Sequence, residues 1–307
     1  MIYDFRFPCN PSMKGQYRVT PDIVYACHDG EAQLLSLIMP WDWELPEEER
    51  QKPLPLIVFV QGSAWTKPDL GYELPQLVEI AKKGYVIATV SHRSRLEGQP
   101  GRPATECVKD VKSAIRFLRA NRKKYNIDPD HVVIWGTSSG GNLAQLVGLT
   151  IDDPAFRCAD YPEESDAVNA VVSCFGPSDL IRLLQQFVNP AGAAEAEAAQ
   201  TAESPESPAE FLRTMAGSPD PAALERILAA MSPIHHIEDG KKYPPFLLLH
   251  GDSDEVVSCA QLTYMAERLS QAGADVTTAI VEGAPHEGPF WSQPVYDLIE
   301  SFIREHI

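Results

Sequence analysis

The sequence has few cysteines, and none of them shows the spacing of a metal site. Six of the 307 residues are cysteine, and no two form a Cys-x-x-Cys pair. Cysteines scattered in this way are most simply reduced thiols in a cytosolic chain. We therefore expect no disulfide framework, no metal site and no cofactor.

Basic residues and long apolar runs are also scarce. The chain has 26 Lys and Arg against 43 Asp and Glu, a net charge of −17, which repels nucleic acid phosphates and anionic membrane surfaces. No apolar run approaches the roughly 20 residues that cross a bilayer, and the segment from Met1 to Pro8 lacks the pattern of a signal peptide. We expect a cytoplasmic protein with no nucleic-acid partner and no membrane insertion, and leave open a homo-oligomer.

What the chain does have is a regular alternation of apolar, β-branched runs with amphipathic segments of helical period. The predicted strands are 54–60, 85–90, 132–135, 167–175, 243–250 and 275–281. A hairpin of strands 22–27 and 32–39 precedes them, with His28 expected in its Asp29-Gly30 turn. This order predicts an α/β fold with a mostly parallel central sheet and helices on both faces.

The rhythm breaks between residues 180 and 231. A short helix begins at Leu180, a stretch rich in Ala and Glu follows, and capping patterns at Ser207-Pro208 and Asp220-Pro221 predict two further helices. We interpret 180–231 as a helical cap inserted between two parts of one core, 1–179 and 232–307. The alternative is a surface excursion with no role.

Gly136-Thr137-Ser138-Ser139-Gly140 follows a predicted strand and leads into a predicted helix. A Gly-x-Ser-x-Gly in this context is typical of a nucleophile elbow, in which a strained turn raises the serine hydroxyl above the sheet edge. Ser138 is therefore the candidate nucleophile. The alternative is an ordinary turn between strand and helix.

A serine needs a histidine base and an acid to orient that base, and in such sheets both follow later strands. His286 follows the last predicted strand, whereas His235 and His236 lie outside strand ends. The acid candidates are Asp254, Asp252 in the same loop, and Asp179. We expect His250 to shape the acid loop and His92 to line the pocket.

An anionic intermediate also needs N–H donors, usually from the residue after the nucleophile and from a loop after an earlier strand. Ser139 holds the first position, and the loop Gln61-Gly62-Ser63-Ala64-Trp65 holds the second. The predicted oxyanion donors are Ser63, Ala64 and Ser139. Trp65, Phe290 and Trp291 lie near strand ends and could wall a substrate pocket, although each could equally be packing.

Across nearly its full length the sequence resembles the α/β-hydrolase superfamily, most closely bacterial esterases with a His-Gly-Gly oxyanion motif, including acetyl- and feruloyl-esterase-like enzymes and neighbours of the hormone-sensitive-lipase-like esterases. The resemblance rests on the elbow, on His250-Gly251-Asp252-Ser253-Asp254-Glu255-Val256-Val257, on Gly283-Ala284-Pro285-His286 and on Ser232-Pro233-Ile234. It implies that Asp254 is the acid. Here Gln61-Gly62-Ser63 replaces His-Gly-Gly, which puts the donor geometry in question.

The sequence thus predicts a serine carboxylesterase that needs no cofactor and acts on small-molecule esters with short-chain or aromatic acyl groups. Ser138, His286 and Asp254 would form the triad. Two alternatives are an amide-bond hydrolase of the aminopeptidase or arylformamidase type and a catalytically silent hydrolase fold that serves in binding.

Overall fold

The structure is a computed structural model. It describes residues 4–11, 13–42, 45, 46, 48, 50, 52–95, 103–188, 211, 214, 215, 217 and 220–307.

One sheet of eight strands forms the centre of the described structure. The strands are β1 Tyr17–His28, β2 Glu31–Pro40, β3 Leu54–Val60, β4 Val86–Val90, β5 Ile127–Thr137, β6 Ala170–Cys174, β7 Phe246–Gly251 and β8 Val276–Val281. Their spatial order is β1-β2-β4-β3-β5-β6-β7-β8. The β1–β2 and β2–β4 pairs are antiparallel, and the remaining pairs are parallel. The prediction of a mostly parallel sheet is confirmed.

Helices cover both faces of this sheet. They are α1 Leu74–Ala81, α2 Thr105–Ala120, α3 Arg122–Tyr125, α4 Ser139–Leu149, α5 Leu180–Val188, α6 Pro221–Ala230, α7 Ala260–Gln271 and α8 Gln293–Glu305. Leu56 and Val58 of β3 pack in the cluster that contains α2, α4 and α7. Ile57 and Phe59 pack in the opposite cluster with α1 and α8. Because both faces of β3 are covered, its apolar run is continuous rather than alternating.

Three local predictions differ from the structure. β5 begins at Ile127, because Ile127 and Asp128 already pair with Leu54 and Pro55 of β3. The helical spacing of Val295, Leu298, Ile299 and Phe302 predicts that all four lie on the core face of the last helix, but Leu298 is 37% exposed, whereas its neighbour Ile299 is fully buried. The buried face of α8 is therefore narrower than the spacing of its apolar residues predicts.

His28 is the third difference, because it ends β1 instead of lying in the turn. Its ring nitrogens contact the carboxylates of Asp110 and Asp160. The prediction that His28 is a turn residue is therefore wrong. The two carboxylates that contact its ring belong to residues 82 and 132 positions away in the sequence, so the local turn pattern gives no sign of them.

The predicted cap is described at its two ends. α5 begins at Leu180, and α6 begins where expected, with the Asp220 side chain accepting the Ala222 N–H at 3.1 Å and Pro221 in the first turn. Ser207-Pro208 lies outside the described residues. The boundaries at 179 and 231 stay a prediction. None of the helices in these described ranges has the length and apolarity needed to cross a membrane.

Candidate active site

Ser138 lies at the turn from β5 into α4 in a strained backbone conformation. Its φ of +50° and ψ of −123° are rare for a residue with a side chain. The Ser138 N–H donates to the Cys174 carbonyl at 2.9 Å, which ties the turn to β6. The neighbouring glycines are required by space, because a Cβ at Gly136 would lie 2.1 Å from the Gly140 carbonyl oxygen. This geometry is that of a nucleophile elbow.

His286 and Asp254 meet Ser138 in one continuous hydrogen-bonded chain. His286 Nε2 lies 3.0 Å from Ser138 Oγ, and His286 Nδ1 lies 2.7 Å from Asp254 Oδ2. With the proton on Nδ1, the ring donates to the carboxylate and its Nε2 accepts from the serine hydroxyl. The residues that the sequence singles out as nucleophile, base and acid are thus within hydrogen-bonding distance.

Asp254 is fully buried at its side chain, yet it is surrounded by donors. Its carboxylate contacts His250 Nε2 at 3.1 Å and accepts the N–H groups of Val256 and Val257, each at 2.9 Å. Burial alone would raise the pKa of Asp254, but these hydrogen bonds, together with that from His286, hold it well below its ordinary value. A permanently ionised carboxylate therefore faces the His286 ring.

The competing residues are occupied elsewhere. Asp252 accepts the Gly283 N–H at 2.6 Å and so braces the loop that carries the base. Asp179 is buried and contacts Arg182. His235 and His236 lie in a short 3-10 turn, where His236 Nε2 contacts the Ala230 carbonyl at 2.8 Å.

His250 and His92 behave differently from each other. His250 Nε2 contacts both Asp254 and the Val257 carbonyl, the latter at 2.8 Å, so it shapes the acid loop as expected. His92 is 1% exposed and its Nδ1 contacts the Arg93 carbonyl at 2.9 Å. It is therefore packed in the interior rather than lining an open pocket.

The predicted oxyanion loop lies directly over the elbow. The Gly62 N–H donates to Thr137 Oγ1 at 2.9 Å, and the Ser63 N–H donates to Ser139 Oγ at 2.9 Å. Ala64 has a φ of +49°, so the loop turns sharply here. Ser139 is the first residue of α4, where N–H groups have no partner inside the helix. The loop thus lies beside Ser138 at Gly62 and beside Ser139 at Ser63, and the role of Ser63, Ala64 and Ser139 as donors stays a prediction.

Gln61 braces this loop. Its side-chain oxygen accepts the Asp69 N–H at 2.7 Å. Ser63 and Thr66 add a reciprocal pair, in which each hydroxyl donates to the carbonyl of the other at 2.6 Å. The amide therefore takes over a bracing contact at the position where the resembling esterases have histidine.

The three aromatic residues predicted for the pocket lie in different settings. Trp65 is 3% exposed, and its indole N–H donates to Asn142 Oδ1 at 3.1 Å. Phe290 is fully buried, and Trp291, which is partly buried, packs against it with ring centroids 4.9 Å apart. Their contact with a substrate stays a prediction.

Phe175 is a site residue that the sequence analysis missed. It follows β6, is fully buried, and its ring meets the His286 ring edge-on with centroids 4.7 Å apart. It also contacts Phe290 at 4.9 Å. Its position just after the end of a strand could have identified it from the sequence, because Asp254 and His286 were identified in the same way. Phe175 restricts the position of the His286 ring by packing.

The parallel sheet, the elbow at the carboxyl end of β5 and the Ser138–His286–Asp254 chain define an α/β hydrolase. The BD-FAE family model matches residues 41–269. The chain therefore belongs to the BD-FAE family.

A named relative and two solved structures agree with this assignment. Esterase LipC of Mycobacterium tuberculosis is 31% identical over 247 residues, covering 78% of this chain and 53% of the relative. A truncated carbohydrate esterase from gut microbiota is 26% identical with a TM-score of 0.71, covering 94% of this chain and 96% of that structure. An esterase from Thermogutta terrifontis, solved with propionate bound, is 25% identical with a TM-score of 0.69 and 96% coverage of both chains. The chain spans about half the length of the curated relatives it matches.

Proposed function

We propose that this chain is a carboxylic ester hydrolase in which Ser138 is the nucleophile. The observation that carries the proposal is the chain of contacts from Ser138 Oγ to His286 Nε2 at 3.0 Å and from His286 Nδ1 to Asp254 Oδ2 at 2.7 Å. The esterases among its relatives support the same activity.

The first half-reaction follows from these contacts. His286 Nε2 takes the proton of Ser138 as Oγ attacks the ester carbonyl, and Asp254 stabilises the resulting imidazolium. The negative oxygen of the tetrahedral intermediate accepts hydrogen bonds from the N–H of Ser139 and from the loop at Ser63 and Ala64. His286 then donates its proton to the leaving alcohol, and an acyl-enzyme on Ser138 remains.

The second half-reaction repeats these steps with water. His286 removes a proton from a water molecule, which attacks the acyl-enzyme, and then returns the proton to Ser138 Oγ as the acid leaves. The resting position of the Ser63 N–H, 2.9 Å from Ser139 Oγ, means that the substrate oxygen competes with this hydroxyl for the donor.

We further propose a short-chain or aromatic acyl group, of the acetyl or feruloyl type. The related Thermogutta terrifontis structure holds propionate, and the gut-microbiota relative is a carbohydrate esterase. Trp291 is the partly buried member of the aromatic cluster that it forms with Phe175 and Phe290 next to His286, and its apolar surface suits a compact acyl group.

The test is hydrolysis of p-nitrophenyl esters from acetate to octanoate, with a ferulate ester and an anilide beside them. We expect turnover of the short or aromatic esters by the wild type, and a loss of at least about 10³-fold in kcat with Ser138→Ala. Cleavage of the anilide alone would show that the protein is an amidase and not an esterase. An unchanged rate in Ser138→Ala would remove the proposed nucleophile.

Two aspartates in one loop provide a matched comparison for the acid. Asp254→Asn removes the carboxylate that orients His286, and we expect kcat to fall by at least about 10³-fold. Asp252→Asn weakens only the brace to Gly283, and we expect a loss below about tenfold. Equal losses in the two variants would contradict the assignment of Asp254.

A further inference from the structure

A second cluster of reactive side chains lies at the end of β1, under α2. It contains His28, Cys158 and Asp160, whose ligand atoms all lie within 4.8 Å of one another. In the ranges that the structure describes, no other group of three or more His, Cys, Asp or Glu side chains could hold a metal ion. β1 is four strands from β5 in the sheet, about 19 Å at the usual strand spacing. The cluster is separate from Ser138.

The His28 ring contacts a carboxylate at each of its two nitrogens. Its Nδ1 contacts Asp110 Oδ1 at 2.6 Å, which leaves Nε2 facing Asp160 Oδ2 at 2.7 Å. Asp110 is fully buried and is itself fixed by Arg93, whose backbone N–H and Nε donate to Oδ2 at 2.7 and 2.9 Å. A carboxylate behind the ring fixes the tautomer of a metal-binding histidine and raises its basicity.

The loop that carries the other two side chains is clamped to α2. Arg116 is fully buried, and it donates to the Asp160 carbonyl at 3.0 Å and to the Cys158 carbonyl at 3.2 Å. Ser113 Oγ donates to Asp160 Oδ2 at 3.2 Å. The positions of Cys158 and Asp160 are therefore set by a rigid helix before any ion binds.

The donor set matches the charge of a zinc-class cation, and its three ligand atoms lie within 4.8 Å of one another. A neutral imidazole, a thiolate and a carboxylate balance a divalent ion, and the protons of His28 Nε2 and Cys158 Sγ leave to solvent on binding. Tetrahedral zinc ligands lie roughly 3.2–3.8 Å apart, so the contact between His28 and Asp160, now 2.7 Å, must lengthen by less than about 1 Å. The side chains of His28 and Asp160 are 11% and 26% exposed, which admits a water as fourth ligand.

We propose that His28 Nε2, Cys158 Sγ and Asp160 Oδ2 bind a divalent cation of the zinc class. The ion would join the β1–β2 hairpin to the loop between α4 and β6. The sequence shows no sign of this site, because its ligands are far apart along the chain and no pair has metal-site spacing.

The test is titration of the full chain, first stripped with a chelator, with Co²⁺ and then Zn²⁺. We expect one Co²⁺ per chain with a thiolate-to-cobalt charge-transfer band, displaced by Zn²⁺, and a rise in the melting temperature with Zn²⁺. Cys158→Ser should abolish the band and weaken Zn²⁺ binding, measured by calorimetry, by at least about 100-fold.

Two variants control for other sources of binding. Cys27→Ser removes an exposed thiol next to His28 and should retain the band and the affinity. Ser138→Ala should bind the ion like the wild type, since the site is independent of the proposed esterase. The proposal would be overturned if the wild type showed no charge-transfer band. It would also be overturned if Cys158→Ser and Cys27→Ser bound the cation equally well, because the acidic surface would then be what holds the cation.

Discussion

Glu73 is a partly buried carboxyl group near the candidate active site. It lies at the start of α1 with a φ of +58°, and its Oε1 is buried with no hydrogen-bond partner among the described residues. Burial, and then repulsion by Glu287, raises its pKa from 4.5 to about 8. Glu287 directly follows His286 and accepts a hydrogen bond from Tyr72 at 3.1 Å. Glu73 therefore carries a proton in the folded protein at neutral pH.

This raised pKa predicts a stability that falls as the pH rises. Between pH 4.5 and about 8 the folded chain retains the Glu73 proton that the unfolded chain has released. As the pH rises through this range, keeping that proton becomes less favourable, so the free energy of unfolding falls. Glu73→Gln has no such proton to keep and therefore avoids this loss of stability. We expect it to raise the melting temperature by about 2 °C or more at pH 8.5, and by much less at pH 5, in thermal denaturation followed by circular dichroism.

Glu79→Gln is the matched control, since Glu79 lies on the same helix with its side chain 69% exposed. Its effect on the melting temperature should not depend on pH in this range. A Glu73→Gln difference that is the same at pH 5 and pH 8.5 would show that Glu73 is ionised in the folded state.

Site residues could be predicted from the sequence where they follow the end of a predicted strand. Ser138, Asp254 and His286 follow three different strands of one parallel sheet, so their meeting at one edge follows from topology. Glu73 and His28 could not be predicted in this way. Their behaviour depends on burial and on charges contributed by remote segments, which periodicity and spacing do not encode.

At the scale of elements, the contact between α4 and β3 fixes the elbow. A Cβ on Gly140 would lie 2.0 Å from the Val60 carbonyl oxygen and 2.9 Å from that of Gln61. All of these neighbours are backbone atoms within the sheet or the oxyanion loop, so none of them can move aside as a side chain could. The helix can approach the sheet this closely only with glycine at this position.

We therefore expect Gly140→Ala to destabilise the fold by about 3 kcal/mol or more, since overpacking against backbone cannot be relieved by rotamer changes. Chemical denaturation measures this loss. Gly71→Ala is the control, because a Cβ there would meet only the Asp69 side chain, at 3.2 Å. We expect a change below about 1 kcal/mol for it. A Gly140→Ala protein as stable as Gly71→Ala would mean that α4 lies farther from β3.

The sequence predicts whether an element is a helix or a strand better than it predicts the first and last residues of that element. The runs at 54–60 and 86–90 are strands at nearly the expected residues, because both faces of each are buried. The start of β5 was hidden, since Asp128, Asp130 and His131 are polar although Ile127 and Asp128 pair with β3. Backbone pairing tolerates polar side chains at a strand's exposed end, so apolar patterning underestimates strand length.

At the scale of the whole molecule, the alternation of strands and helices was enough to predict the layered architecture. It did not predict how the segment between α4 and β6 is attached, because that segment has no periodic pattern. Part of its attachment is ionic: Asp166 is fully buried between Arg116 at 3.1 Å and Lys112 at 3.4 Å. Asp166 also accepts the Asp152 N–H at 2.8 Å. One carboxylate thus connects α2 to both ends of this segment.

Removal of Asp166 should therefore destabilise the entire fold. Asp166→Ala leaves Arg116 and Lys112 buried without their counter-ion, and the expected loss is about 3–5 kcal/mol. Burial already lowers the pKa of Lys112, so part of the loss should be recovered at high pH, where Lys112 can become neutral. Glu164→Ala is the comparison, because Glu164 pairs with Arg122 at 3.1 Å with partly exposed side chains, and such pairs contribute up to about 1 kcal/mol. Urea denaturation of both variants measures the difference, and equal midpoints would show that the buried pair does not hold the segment in place.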